Sequence, residues 1–329
     1  MAVLSLREAE ELVVRTLMRA RTGDANAKSV ARALVAAEAD GLKGHGLSRV
    51  PSYAAQAKAG KVDGFATPTF ARARPGLLTI DAANGFAFPA LELAVAMLPE
   101  IALAQGVAAA AISRSHHCGA AGHTVERMAD AGLAALMLAN TPSAIAPWGG
   151  SKAVFGTNPV AFACPLEGRE PLVIDLSLSK VARGNIVTAK QRSEKIPEGW
   201  ALDVHGKPTT DPDAALRGTM VPAGEAKGTA LALMVELLAA GLTGANFAAE
   251  ASSYLDAKGP PPGTGQLLIA FDPPAFGGDA ISRFALLASS VEQQDGARLP
   301  GARRIAARKK TAAEGLNIAD ALLAEIAAV

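Results

Sequence analysis

Cysteine, aromatic residues and any surplus of charge are all scarce in this 329-residue chain, and each scarcity removes a class of protein. Two cysteines, Cys118 and Cys164, are too few for a disulfide framework, and no CxxC pair offers the ligands of a structural zinc site. A reducing compartment, the cytoplasm, is the expected setting. Aromatic residues make up 4%, which leaves few platforms on which bases or sugar rings could stack. With 32 Lys and Arg against 31 Asp and Glu, the formal charge is +1, so no global field draws the chain to nucleic acid or to an anionic membrane. The longest uncharged stretch, residues 131–151, is interrupted by Asn140, Pro142, Pro147 and Gly149-Gly150, and no transmembrane helix is expected. No GxGxxG follows a strand and no GxSxG elbow occurs, which excludes the usual dinucleotide fingerprint and the serine-hydrolase nucleophile.

What is present is a half-hydrophobic chain, rich in Ala, Val and Leu, with about two domains' worth of residues and enough apolar surface for a sizeable core. The N-terminus carries acidic residues within its apolar pattern, so it reads as a helix from Leu6 to about Arg21 with Ser5 and Glu8 as a capping box, and not as a signal peptide. A second helix is expected from Ala25 to about Asp40, started by Asp24 and stopped by Gly41. The Gly-rich corner GLKGHGLSRVPSY leads into a third. Asn84-Gly85 between two short β-like runs predicts a hairpin. From Pro89 the pattern alternates helix, strand, loop (SHHCG), helix and strand. NPVAFACP, PLVIDLSLS and LLIAFDP add strands, and a helix is expected over Ala226 to Ala240. A mixed sheet at the centre of an α/β fold is the expected result.

Gly44-His45-Gly46-Leu47-Ser48-Arg49 is the first segment that could carry chemistry. Histidine changes charge near neutral pH, flanking glycines allow close backbone approach, and an arginine four residues on could grip a carboxylate with both prongs. His45 is therefore a candidate general acid, although a turn histidine beside a solvated arginine has the same appearance. In Ser115-His116-His117-Cys118-Gly119-Ala120-Ala121-Gly122-His123, His117 and His123 have a two-histidine metal spacing without the companion cysteines. The segment reads better as a small-residue loop entering a helix, whose free N–H groups suit an anion; a tight packed loop is the plain alternative. Lys227 before a helix and the basic run Arg303, Arg304, Arg308, Lys309, Lys310 could meet phosphate or be solvated. Thr157 and Asp175-Leu176-Ser177 sit at expected strand ends, where α/β proteins place ligands.

Taken in order, GHGLSRVPSY, SHHCGAAGH, APWGG, FGTNPVAFACP, PLVIDLS, IPEGWALDVHGKPTTDP, AKGTALALMVELLAAGLTGANF and LPGARR resemble the malate/L-lactate dehydrogenase family that lies outside the Rossmann lineage. That family includes sulfolactate and ureidoglycolate dehydrogenases, diketogulonate reductases and reductases of Δ1-pyrroline- and Δ1-piperideine-2-carboxylate. The resemblance spans nearly the whole chain and implies a non-Rossmann mixed-sheet α/β fold with helical N- and C-terminal segments. The units expected are 1–75 carrying the catalytic histidine, a mixed α/β core over 76–285 that binds cofactor and substrate, and a C-terminal helical segment, 286–329, that contributes to the cofactor site. It implies NAD or NADP as cofactor, a small carboxylate substrate, no metal, and a homodimer.

Residue by residue, the resemblance makes His45 the proton donor, Arg49 the carboxylate grip and Thr157 a second substrate contact. It places cofactor contacts at His117, Cys118, Gly119, Ala120, Ala121, Asp175, Leu176, Ser177, Arg183, Gly184, Lys227 and Gly301 to Ala307, including Arg303 and Arg304. Two positions depart from the family: Gly44 replaces the usual serine before the histidine, and Asn185 stands for the aspartate that polarises it in some members. Without that carboxylate, His45 is expected to titrate at or below its ordinary value of about 6.5. The implied activity is hydride transfer between a nicotinamide cofactor and C2 of a small 2-oxo or 2-hydroxy acid, with cyclic-imine reduction as the alternative. A non-catalytic metabolite-binding relative and a zinc hydrolase on His116, His117 and His123 are the other readings.

Overall fold

The computed structural model describes residues 2–329. The N-terminal unit runs β1 (Ala2–Leu4), α1 (Leu6–Arg19), α2 (Asp24–Ala39), two single 3-10 turns over Lys43–His45 and Leu47–Arg49, and α3 (Val50–Lys58). The Ser5 hydroxyl accepts the Glu8 N–H while the Glu8 carboxylate accepts the Ser5 N–H, so the capping box forms. The second cap differs from expectation: Gly23 is the N-cap, and Asp24 is the first helical residue, ion-paired to Lys28 one turn on. Val13, Leu17, Val30, Leu34, Leu47 and Tyr53 form the core of this unit, since the apolar positions of the three helices recur at helical spacing.

The central part continues β2 (Thr69–Arg74), β3 (Leu77–Asp81), α4 (Ala87–Gln105), β4 (Val107–Ser115), α5 (Ala121–Asp130), β5 (Ala134–Ala139), β6 (Val160–Leu166) and β7 (Arg169–Leu176). Then come α6 (Arg183–Gln191), β8 (Ala201–Leu202), β9 (Pro208–Thr209), α7 (Pro212–Arg217), β10 (Thr219–Met220), α8 (Ala226–Glu236) ending in a π turn, β11 (Thr264–Phe271), α9 (Ala280–Glu292), α10 (Ala302–Glu314), β12 (Leu316–Ile318) and α11 (Asp320–Ala327). Among the described residues the main sheet has the order β2-β3-β4-β11-β5-β6-β7. Only β3 and β4 run parallel; the other neighbours are antiparallel, which makes the sheet mixed.

Strand periodicity explains the layers. In β4, Ala108, Ala110 and Ile112 face α4 and α5, while Ala109 and Ala111 face the layer built from α6, α8 and the small β10-β8-β9 sheet. So many alanines let helices and sheet approach closely. α4 is apolar enough by composition to span a membrane, with mean hydropathy 1.6, but its Ala90, Leu91, Ala94, Leu98 and Ile101 are core residues of this layer.

The expected hairpin at Asn84-Gly85 does not form. Ala83 and Asn84 both take positive φ in a tight turn, yet the chain then enters α4, because Phe86 and Phe88 are drawn into the N-terminal core. The hairpin is β2–β3 instead, so the unit boundary expected at residue 75 falls inside it. At the other end β12 pairs with β1, and Ile326 of α11 joins the N-terminal core, so the chain termini close one unit together.

Candidate active site

The corner after α2 is built around a buried carboxylate. Glu38 accepts the Leu47 N–H at 2.9 Å, and a Cβ at Gly46 would collide with that carboxylate, so glycine is required for the chain to turn there. Burial pushes the Glu38 carboxyl up, opposed by the Leu47 N–H and Lys43. This turn presents His45 and Arg49 together. The Arg49 Nε donates to the Gly44 carbonyl at 2.7 Å, which orients the guanidinium and leaves its terminal nitrogens for an incoming carboxylate. A Cβ at Gly44 would meet nothing within 4 Å, so the side of His45 where the family carries a hydroxyl is open.

His45 lies face to face with His117, ring centroids 5.3 Å apart and planes 13° from parallel. Its Nδ1 is enclosed without a hydrogen-bond partner among the described residues. Burial, with smaller contributions from the Arg49 and His123 charges, pushes His45 down to about 4. The direction matches the expectation, but the first cause is burial and not the missing carboxylate. His117 is bonded through Nδ1 to the Tyr53 hydroxyl at 2.6 Å, and burial holds it well below the usual imidazole range. His116 bonds through Nε2 to Gln56 Oε1 at 2.7 Å and is pushed down to about 3, again by burial first. Tyr254 packs on both rings, and its carbonyl accepts from Gln56. Cys118 is buried and its thiol is pushed up to about 12, which makes it inert as a nucleophile.

The three histidines of this segment aim at separate partners, His116 at Gln56, His117 at Tyr53 and His123 at Asp40, so they do not converge as a ligand set. Asp40, His123 and Glu126 do lie close together, but the Arg304 and Arg308 guanidinium groups occupy both carboxylates.

Beyond His117, Gly119 takes φ +68 against the Phe88 ring and delivers the chain to Ala120, which caps α5 without a side-chain acceptor. The Asp175 carboxylate at the end of β7 takes the Gly122 N–H at 2.7 Å. The protein packed around that carboxyl raises its pKa, against the pull of the Gly122 N–H, although the residue keeps an exposed side. Gly301, leading α10, approaches the Val173 carbonyl. Thus the segments at 117–121, 175–177 and 301–304 meet at the start of α5. Ser177 and Ser179 share a 3.0 Å contact between hydroxyls. The intervening Leu178 donates its N–H to Thr157 and accepts from Ala223, three residues before α8. That ladder brings Thr157 and the Lys227 turn to the same edge. Thr157 is steadied by Thr141, whose hydroxyl accepts its N–H at 2.9 Å.

Not every expected contact is drawn in. Asn185 and Gly184 are exposed on the first turn of α6, and Lys227 and Arg303 are exposed. Arg183 reaches the Leu216 carbonyl with its Nη2 while its Nε is buried without a partner. Arg304 is turned inward to Asp40 and Glu126, so it is committed to an ion-pair network and not free as the basic run suggested. Burial pushes Asp40 up, but Arg308 and His123 outweigh it and hold it at about 2. Tyr53, Gln56, Tyr254 and Glu38 escaped the sequence reading because isolated residues of these types have no spacing signal.

The Asp175 carboxylate already takes the Gly122 N–H at the start of α5, so the orphaned Arg183 Nε and the exposed Lys227 and Arg303 are the groups that suit an anionic dinucleotide. The profile of the malate/L-lactate dehydrogenase family matches residues 4–327. The (2R)-3-sulfolactate dehydrogenase (NADP(+)) of Chromohalobacter salexigens is 50% identical over 99% of this chain and 97% of that protein. A Δ1-pyrroline-2-carboxylate/Δ1-piperideine-2-carboxylate reductase of Pseudomonas aeruginosa is 42% identical over 99% and 98%. The crystal structure of Δ1-piperideine-2-carboxylate reductase from Pseudomonas syringae superposes with a TM-score of 0.93 at 38% identity, covering 99% of both chains. The family match and these relatives define an NAD(P)-dependent oxidoreductase. The chain belongs to the malate/L-lactate dehydrogenase family.

Proposed function

We propose that this enzyme interconverts a small 2-oxo acid and its 2-hydroxy acid with NADP(H), on a substrate of the sulfolactate type. The observation that carries this reading is the shared corner of His45 and Arg49. One imidazole keeps its Nδ1 enclosed, and beside it a guanidinium is steered by the Gly44 carbonyl with its terminal nitrogens unused. Arg49 holds the substrate carboxylate, Thr157 orients the far end, and His45 gives its proton to the C2 oxygen in reduction and takes it back in oxidation. The open side at Gly44 leaves room for a second bulky anionic group on the substrate. The 117–121, 175–177, 183–184, 227 and 301–303 segments would hold a nicotinamide cofactor, which when bound would supply or receive the hydride. Asn185 takes the place of the family's polarising aspartate.

The cyclic-imine alternative is favoured by the 42% identity to the P. aeruginosa reductase. Steady-state turnover of pyruvate, oxaloacetate, sulfopyruvate and Δ1-pyrroline-2-carboxylate with NADPH and NADH decides. Sulfopyruvate with NADPH is expected to lead; faster turnover of the imine than of every oxo acid would transfer the assignment to the imine reductases. The exposed apolar face of α8 and the turn after it, with Leu231, Leu233, Met234, Leu237, Leu242 and Phe247, is the face by which two copies form a homodimer. Two buried free thiols suit the reducing cytoplasm.

A further inference from the structure

His45 has lost the hydrogen-bonding neighbours that usually aim a catalytic imidazole. Gly44 offers no hydroxyl, Asn185 no carboxylate, and Nδ1 is enclosed with no partner among the described residues. A general acid still needs a fixed ring plane, because proton transfer depends on the distance and line from nitrogen to acceptor. The contact that restrains the plane is the stack on His117. His117 in turn is held by Tyr53, a fully buried residue whose ring packs against Phe86, Phe88 and His116. The Tyr53 hydroxyl has His117 Nδ1 as its hydrogen-bond partner, at 2.6 Å. A buried hydroxyl that failed to donate would leave its proton unsatisfied, so Tyr53 is the donor and His117 is the tautomer protonated at Nε2. Burial of both groups keeps them neutral and preserves this polarity.

We propose that Tyr53 is a positioning residue for the proton donor: its hydroxyl locks the tautomer and plane of His117, and His117 sets the plane of His45 by stacking. Hydrogen bonding one ring away replaces the hydrogen bond that His45 itself lacks. The proposal rests on the reading of His45 as proton donor.

Tyr53→Phe removes one oxygen from a buried ring and keeps the aromatic packing. The variant is expected to lose about tenfold in kcat while the KM of the carboxylate substrate stays within about twofold, since Arg49 is untouched. In 15N spectra of histidine-labelled protein, His117 Nδ1 should read as an unprotonated acceptor in the parent, and both His117 and His45 should shift in the variant. An unchanged kcat in a variant whose His117 signal shows the bond lost would overturn the proposal. So would a parent His117 protonated at Nδ1, a result independent of whether the variant folds. His45→Ala, measured beside it, separates the two claims. If that variant keeps its activity, the proton-donor reading falls; if it is inactive and Tyr53→Phe equals the parent, only the positioning role falls.

Discussion

The His45 and His117 rings lie 5.3 Å apart and 13° from parallel, so the neighbour of the proposed proton donor is a ring face, while His45 Nδ1 has no hydrogen-bond partner among the described residues. With its pKa pushed down, this half-buried imidazole is unprotonated near neutral pH, so the form that accepts a proton in oxidation is abundant though weakly basic and the form that donates one in reduction is scarce, and this asymmetry is measurable.

With the folded-state pKa of His45 at about 4, the protonated form required for reduction declines as pH rises above that value. Reductive kcat/KM is expected to climb about tenfold for each unit of pH lowered through the neutral range, whereas the oxidative value stays level above about pH 5. Asn185→Asp is expected to move the reductive profile towards alkaline pH by stabilising the imidazolium. Superimposable profiles of parent and variant would remove Asn185 from the proton path.

Arg49→Lys is expected to raise the KM of carboxylate substrates by about tenfold or more, because lysine has a single nitrogen and cannot bind the Gly44 carbonyl while offering two further nitrogens to a carboxylate. Cofactor affinity should not change. Equal KM in the two proteins would show that the carboxylate is held elsewhere.

Gly46→Ala drives a methyl group into the Glu38 carboxylate that holds the Leu47 N–H. The corner must open, at a cost of about 1–3 kcal/mol in stability. Activity should fall further than stability alone explains, because His45 and Arg49 move with the turn. A denaturation midpoint and kcat matching the parent's would refute the close fit.

Arg303 and Arg304 are adjacent in sequence but should separate in experiment. Arg303→Ala is expected to weaken cofactor affinity, with less salt dependence and little loss of stability. Arg304→Ala strips one cation from buried Asp40 and Glu126 while Arg308 still pairs with both, and a stability loss of about 1–3 kcal/mol is expected. Cofactor titrations and thermal melts on both variants check the division; equal behaviour would contradict it.

Leu237, 54% exposed, and Leu242, 66% exposed, sit at the end of α8 where the chain is apolar on all sides. Leu237→Glu should convert a dimer to monomer in sedimentation experiments, since a carboxylate would be desolvated at the interface. A monomeric parent would refute the homodimer, and a dimeric variant would place the contact elsewhere.

Much of the architecture was legible because periodicity carries it. The apolar strand run after the Pro89 helix and the capping box at Ser5 and Glu8 are local patterns, and both appear as expected. The Asn84-Gly85 turn misled because a tight turn specifies a reversal of the backbone and not the type of element beyond it. Burial of Phe86 and Phe88 in the N-terminal core decided that this element is a helix. Arg304 misled for a related reason, since a basic run reads as solvated until its partners, Asp40 and Glu126, are brought in from 264 and 178 residues away.

The sequence by itself determined most of the element types, the non-Rossmann family pattern and the pairing of His45 with Arg49, because each depends on residues close together in the chain or on an ordered set of motifs. Only the tertiary structure decided what surrounds His45. The stack on His117, the Tyr53 hydroxyl behind it, the burial that keeps the imidazole neutral and the closure of the unit by β12 all join distant segments. Such contacts arise when apolar faces are removed from water together, and no local spacing encodes which polar atoms are then left facing one another.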